Sequence, residues 1–211
     1  DVPVSYSVST SGWKEYQGQK FFAWGDKIIG INHKQVLFAS QDQNSEKIFR
    51  SFHAKGTMEG WLKMASNLYE VAPRSTLAIF HALTPPLMKV VNGANYCVDY
   101  SSSSSSIGKT TFSRLGASVW GKPIGEGEVL KSWNMTRVFG ERYATLFNDL
   151  PIFLEELQLA RQEMQRELLY MVVNGTGRGR GSLTGVRSVS QWNVCLFTTG
   201  ETSIVESTKM E

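Results

Sequence analysis

The sequence predicts an α/β protein, with a mostly parallel sheet over 93–211 and a small β-rich and helical region in front of it. Three observations predict this. From the Asn92-Gly93 turn signal onward, short apolar stretches of strand length alternate with stretches of helical periodicity, and strands separated by helices imply crossover units with parallel strands. The first 56 residues instead carry short aromatic-rich runs divided by glycines, the pattern of hairpins. Between them, Thr57 to Leu68 repeats apolar residues (Met58, Trp61, Leu62, Ala65, Leu68) at helical spacing. The expected division is therefore 1–56 β-rich, 57–92 a helical connector, and 93–211 the core.

In order, Gly12–Tyr16 and Lys20–Trp24 flank Gln17-Gly18-Gln19 as a hairpin, and Lys27–Ile31 follows as a strand. After Thr57–Leu68 a second helix is expected from Ser75 to Leu83, stopped by Pro85-Pro86. Tyr96–Tyr100 is a strand, Lys109 to about Val119 a helix, Glu128–Trp133 a strand, Val138–Phe147 a helix and Pro151–Leu154 a strand. Leu157–Val173 shows one apolar stripe through Leu157, Ala160, Met164, Leu168 and Met171, so a single long helix is expected before the strand Trp192–Phe197.

Composition excludes some classes. Stretches such as Leu77–Leu83 are far shorter than the roughly 18 apolar residues of a membrane span. Asp1-Val2-Pro3 has neither an initiator Met nor a basic leader, so a cytoplasmic piece of a longer polypeptide is expected. Cys97 and Cys195 lack ligand spacing and read as small buried hydrophobes. His33 and His53 are isolated and read as surface residues. A net charge of +3 does not by itself argue for nucleic acid.

The chemistry begins at the end of the Tyr96–Tyr100 strand. Ser103-Ser104-Ser105-Ser106-Ile107-Gly108-Lys109-Thr110 stands where a strand hands over to a helix. Backbone N–H groups of such a loop, together with the helix N-terminus, wrap phosphates. Ser104, Ser105, Ser106, Ile107, Gly108, Lys109, Thr110 and Thr111 are accordingly the candidate nucleotide-binding residues. Lys109 reaches the β- and γ-phosphates and the Thr110 hydroxyl ligates Mg²⁺. The pattern of such loops opens with Gly, and Ser103 stands there instead. If that position needs a positive φ, serine costs roughly 1–2 kcal/mol.

Leu150–Leu154 is an apolar run ending in Glu155-Glu156, 46 residues after Lys109. In a P-loop ATPase the first acid holds Mg²⁺ and the second polarises the attacking water. Glu155, a Glu where Asp is usual, is thus a candidate metal ligand with Thr110, and Glu156 a candidate catalytic base. The pair also suits the first turn of a following helix, where the macrodipole favours acids. Thr198-Thr199-Gly200-Glu201 ends the last strand, and Thr199 is the candidate sensor of the γ-phosphate; a plain strand-ending turn fits these four residues equally.

Asn174-Gly175-Thr176-Gly177-Arg178-Gly179-Arg180-Gly181, with Arg187 beyond, is a glycine-rich basic loop. Three uses suit it: contact with a nucleic-acid backbone, as in the channel hairpins of ring motors; an arginine finger at a neighbour's γ-phosphate; or a solvated surface loop.

Gly108-Lys109-Thr110-Thr111, Ala117-Ser118-Val119-Trp120-Gly121, Ser132-Trp133 with Thr136, Asn148-Asp149-Leu150-Pro151, Glu155-Glu156, Asn174-Gly175 and Thr199-Gly200-Glu201 together resemble the domain of unknown function 927 family. Gly12-Trp13 and Ala72-Pro73-Arg74-Ser75 resemble its leading region. The resemblance implies a P-loop NTPase core, incomplete at its C-terminus, of a helicase-like ATPase from phages, plasmids and mobile elements. It implies ATP and Mg²⁺ as cofactors, single-stranded or forked DNA as partner, and a homo-oligomeric ring. The expected function is an ATP-dependent DNA helicase or translocase in replication. A P-loop ATPase that remodels or loads proteins on DNA, and a non-hydrolysing DNA-binding scaffold, are the alternatives.

Overall fold

The computed structural model describes residues 6–32, 36–40, 42–125, 128–179, 181–182, 185–186 and 189–209. His33, Arg180 and Arg187 lie outside them. The leading region forms β1 (Tyr6–Val8), β2 (Gly12–Tyr16), β3 (Gln19–Trp24), β4 (Lys27–Ile29) and β5 (Val36–Phe38). β2, β3 and β4 make an antiparallel sheet, while β1 pairs with β5 in parallel. The hairpin is as expected, with Gln17 (φ 50°) and Gly18 (φ 78°) at its turn. Helix α1 (Gln43–Arg50), absent from the sequence expectations, is capped by Asp42, whose carboxylate accepts from the N–H groups of Asn44 and Ser45. His53 is exposed.

Helix α2 (Met58–Val71) starts at Thr57, whose hydroxyl accepts from Gly60 N–H. A turn of 3₁₀ helix (Pro73–Ser75) leads into α3 (Thr76–Val91). Pro85 and Pro86 do not stop α3, contrary to expectation; both lie inside it. A proline removes the N–H that would bond the carbonyl four residues earlier, and here an indole replaces it: Trp120 Nε1 donates to Ala82 O at 2.6 Å. The Pro86 carbonyl in turn accepts from Trp13 Nε1 at 2.9 Å, fixing β2 against the helix. The helix ends at Asn92 in the left-handed conformation (φ 53°).

The core sheet contains β6 (Tyr96–Ser101), β7 (Leu130–Ser132), β8 (Pro151–Glu155) and a late strand separated from them by α4 (Lys109–Ala117), α5 (Arg137–Leu146) and α6 (Gln162–Asn174). Two-residue strands β9 (Gly181–Ser182) and β10 (Gly185–Val186) pair antiparallel, the late strand is β11 (Cys195–Gly200), and α7 (Ile204–Ser207) closes the chain. The sheet order is β6-β11-β8-β7 and every neighbour is parallel. The last core strand in sequence is thus inserted between the first and the third, and all four C-terminal ends share one edge.

The expected helix Leu157–Val173 is broken. Leu157–Leu159 is a 3₁₀ turn and α6 begins only at Gln162. Gln165 Nε2 bonds the carbonyls of both Leu157 and Ala160 at 2.9 Å, satisfying the groups the break exposes. One apolar core runs through the molecule: Phe22, Phe49 and Phe52 of the leading region pack with Ala78, Trp133, Phe147, Phe153, Leu168 and Phe197. Cys195 is buried and Cys97 half-buried; both are free thiols, pushed up by burial, Cys195 to about 12. Among the described residues no helix is long and apolar enough to cross a membrane.

Candidate functional site

The loop after β6 is turned by two left-handed residues, Ser106 (φ 60°) and Gly108 (φ 95°). Ser103 is not among the positive-φ residues, so the strain expected for a serine there falls on Ser106, at roughly 1–2 kcal/mol. No Cβ contact within 4 Å surrounds Gly108; the glycine is needed for its backbone angle. Ser102 N–H donates to Gly200 O at 3.2 Å, which ties the loop to the end of β11. Lys109 Nζ donates to Ser102 O at 2.8 Å and Ser104 O at 2.7 Å, so the ammonium lies inside the curve of the loop. Ser104, Ser105, Ser106, Ile107, Thr110 and Thr111 are exposed. Helix α4 has Gly108 as its N-cap and receives no side-chain capping bond, which leaves first-turn N–H groups without a partner from the cap.

Glu155 ends β8. It lies opposite Ser132 of β7, and the β11–β8 register, Thr198 to Leu154, carries Thr199 level with it. Phe153 and Phe197 meet ring to ring at 5.1 Å, and Phe197 also meets Phe112 of α4 at 6.0 Å. Side chains alternate faces along a strand, so Glu155 and Thr199, each two residues further on, share the α4 face. Burial pushes the Glu155 carboxyl above its usual range, against the opposing pull of the Thr110 hydroxyl, the Arg114 charge and the Ser113 hydroxyl. Its Oε1 is buried without a hydrogen-bond partner among the described residues. A buried, unsatisfied carboxylate oxygen beside a threonine hydroxyl is a donor set that suits a hard divalent cation. Among the described residues no group of three or more His, Cys, Asp or Glu is arranged to hold a metal ion, so such an ion would complete its shell from phosphate and water. Glu156 is exposed and left-handed (φ 61°) at the start of the 3₁₀ turn, which corrects the expectation that the acid pair opens a long helix.

Two residues that the sequence reading did not place at the site prove central to its frame. Trp133 is fully buried; its N–H donates to Glu155 O at 3.0 Å and its Nε1 to Thr198 Oγ1 at 2.7 Å. It therefore joins the ends of β7, β8 and β11. Asp99 Oδ2 accepts from Ser101 Oγ at 3.0 Å and Ile204 N–H at 2.9 Å, fastening α7 to β6; burial raises its pKa, opposed by these two bonds.

The basic loop is elsewhere. Thr176 bridges Gln191, and Gly177 N–H donates to Ser190 O at 2.8 Å, so the loop springs from the stem between α6 and β11, at the sheet's N-terminal edge. With β11 six residues long, the root of that stem is about 20 Å from the edge that carries Lys109 and Glu155, at roughly 3.3 Å per residue. Arg178 is exposed just beyond that stem.

Among solved structures, the chain is similar to SCCmec type IV Cch, described as an active helicase, with 23% identity and a TM-score of 0.72 over 98% of this chain. The chain spans 38% of that protein's length, and the likeness is one of fold. No curated protein matches the sequence. The family model for the domain of unknown function 927 matches residues 2–191, nearly the whole chain. The chain belongs to the domain of unknown function 927 family.

Proposed function

We propose that the C-terminal edge of the sheet is an ATP site of the P-loop NTPase type and that the chain is the motor portion of an ATP-dependent DNA helicase or translocase, serving replication of a phage or mobile element. The observation that carries this is the convergence of Lys109, Thr110, Glu155 and Thr199, distant in sequence, on one sheet edge and one face. The described helicase activity of the structural neighbour supports the motor reading.

Each residue has a task that follows from its place. The left-handed turn at Ser106 and Gly108 and the open first turn of α4 present N–H donors to phosphate. Lys109 exchanges its two loop carbonyls for phosphate oxygens, releasing a charge already held in the right hollow. Thr110 and Glu155 would hold Mg²⁺, which when bound neutralises charge on the β- and γ-phosphates. Glu156, exposed at the same strand end, takes the proton of the attacking water. Thr199, on the same face, hydrogen-bonds the γ-phosphate. Trp133 keeps the strand ends in register while charge develops, so the site is preorganised rather than assembled at each turnover.

The test is Lys109→Ala in the full-length protein. ATP turnover and the Mg·ATP thermal shift are both expected to vanish while the fold persists. Unchanged turnover in that variant removes the ATPase reading.

A further inference from the structure

The opposite edge of the sheet holds two adjoining cavities. One, of about 530 Å³, is lined by Lys14, Lys89, Asn148, Asn174, Gln191 and Asn193 among others. The second, of about 470 Å³, is lined by Trp13, Lys14, Glu15, Lys20, Lys89 and Val90. They share Lys14 and Lys89 and form one cleft between the leading region and the core. Among the described residues no carboxylate lies within ion-pair distance of the Lys14, Lys20 or Lys89 ammonium. Lys14 Nζ donates to Ser11 O at 3.0 Å. Burial lowers the Lys14 pKa, Asp149 opposes this and the Lys89 charge adds to it, the pattern of a cation short of counter-charge.

Part of the positive charge has local work. Helices α3, α5 and α6 all end at this cleft, and cations suit helix C-termini. The buried Asp149, whose Oδ2 accepts from Trp13 N–H and Asn148 Nδ2, is one counter-charge for Lys14 and Lys89 together. Lys20 and Lys89 are exposed on the rim, and only Glu15 opposes them among the lining residues of the outer cavity. The cleft is also continuous with the basic loop: Asn174, Gly175 and Gln191 line it and form the root of the stem that carries Arg178.

We propose that this cleft binds the backbone of a single-stranded nucleic acid, with Lys14, Lys20 and Lys89 on the phosphates, Trp13 and Val90 giving apolar surface to a base, and the strand leading on to the basic loop. Cations interleaved with an aromatic surface are what a single strand requires. Each cavity is of the volume that takes a nucleotide-sized ligand, too small for a duplex. An acidic peptide would use the lysines but not the apolar floor. The inference extends the helicase reading from the loop to the leading region, and it requires no hydrolysis.

The experiment titrates the full-length protein with fluorescein-labelled oligothymidylate of about 20 nucleotides, by anisotropy, between about 50 and 200 mM salt. Lys20→Gln with Lys89→Gln is expected to weaken binding roughly 5- to 10-fold at the low end. Each phosphate contact to a single strand contributes about 0.7 to the log–log salt slope, so the slope should fall by about 1.4. Lys20→Arg with Lys89→Arg should keep both, and Lys20→Gln alone should lower the slope by about 0.7, a check that survives any loss of folding in the double variant. Unchanged affinity and slope would overturn the proposal, as would displacement of the oligonucleotide by polyglutamate or by inorganic phosphate at comparable charge concentration. ATP turnover of the parent is measured alongside. A parent that hydrolyses ATP with lysine variants that bind normally refutes the cleft alone, whereas a parent without turnover refutes the ATPase reading and leaves the titration to decide the cleft.

Discussion

The hydrogen bond between Trp133 and Thr198 gives the most demanding check on the frame of the site. Both residues are fully buried, and the indole N–H to hydroxyl distance is 2.7 Å. Trp133→Phe keeps the backbone N–H that bonds Glu155 O but removes the indole donor and part of the ring. A buried bond broken on one side costs about 1–3 kcal/mol, and the smaller ring leaves a void worth about 1 kcal/mol. For a chain of this length each kcal/mol moves Tm by about 2–4 °C, so a fall of about 4–16 °C is expected. Thr198→Val leaves the indole N–H unpaired and should cost a similar 1–3 kcal/mol or so. In the double variant neither partner is left wanting, and the cycle should show a coupling of about 1–2 kcal/mol. Urea unfolding of the four proteins measures it. Additivity within about 0.5 kcal/mol would mean that the bond does not tie the strands together, and the preorganisation argument would fall with it.

Three further outcomes are expected. Gly12→Ala places a Cβ 2.5 Å from Asn148 O and Asp149 Oδ2 at a φ of +96°; the backbone oxygen cannot move cheaply, so a loss of at least about 2 kcal/mol and freer proteolysis of the leading region should follow, and a stable, protease-resistant variant would contradict the docking of β2 on the core. Glu156→Gln should keep the Mg·ATP thermal shift while slowing turnover by about 10²-fold or more, and turnover equal to the parent's would reassign the base. Burial holds the Asp149 carboxyl above its ordinary range, against the Trp13 N–H bond and the Lys14 and Lys89 charges. A raised folded pKa means stability fully present below the unfolded value and lost as pH rises through the folded one. Asp149→Asn removes that loss, so unfolding midpoints of variant and parent should diverge in the variant's favour as pH rises from about 4 to 7, and a constant difference across that range would show that Asp149 does not titrate as described.

The hairpin of the leading region, the alternation of strand and helix and the strand–loop–helix around Gly108-Lys109-Thr110 were legible because each is a local pattern: turn residues at the right offset, apolar periodicity, a glycine-lysine-threonine run after a strand. What misled was also local. Pro85-Pro86 reads as a stop, yet α3 runs through, because Trp120, more than thirty residues later, supplies a donor for the Ala82 carbonyl. The stripe from Leu157 to Met171 reads as one helix, yet the chain breaks at Ala160, where Gln165 satisfies the exposed carbonyls. Trp120 lies outside any local window around the prolines, and Gln165, though only five residues from Ala160, reads locally as one more polar position on a helix.

By itself, the sequence determined in which kind of element the candidate residues sit, Lys109 opening a helix and Glu155 and Thr199 closing strands, since that follows from backbone preference, apolar periodicity and spacing. Only the tertiary structure decided that β11 slots between β6 and β8, that Glu155 and Thr199 share the face of α4, that Trp133 fastens three strand ends, and that the root of the basic loop and the lysine cleft occupy the far edge. The reason is physical: strand order and facing depend on which apolar surfaces bury best against one another, and that sum is taken over the whole chain.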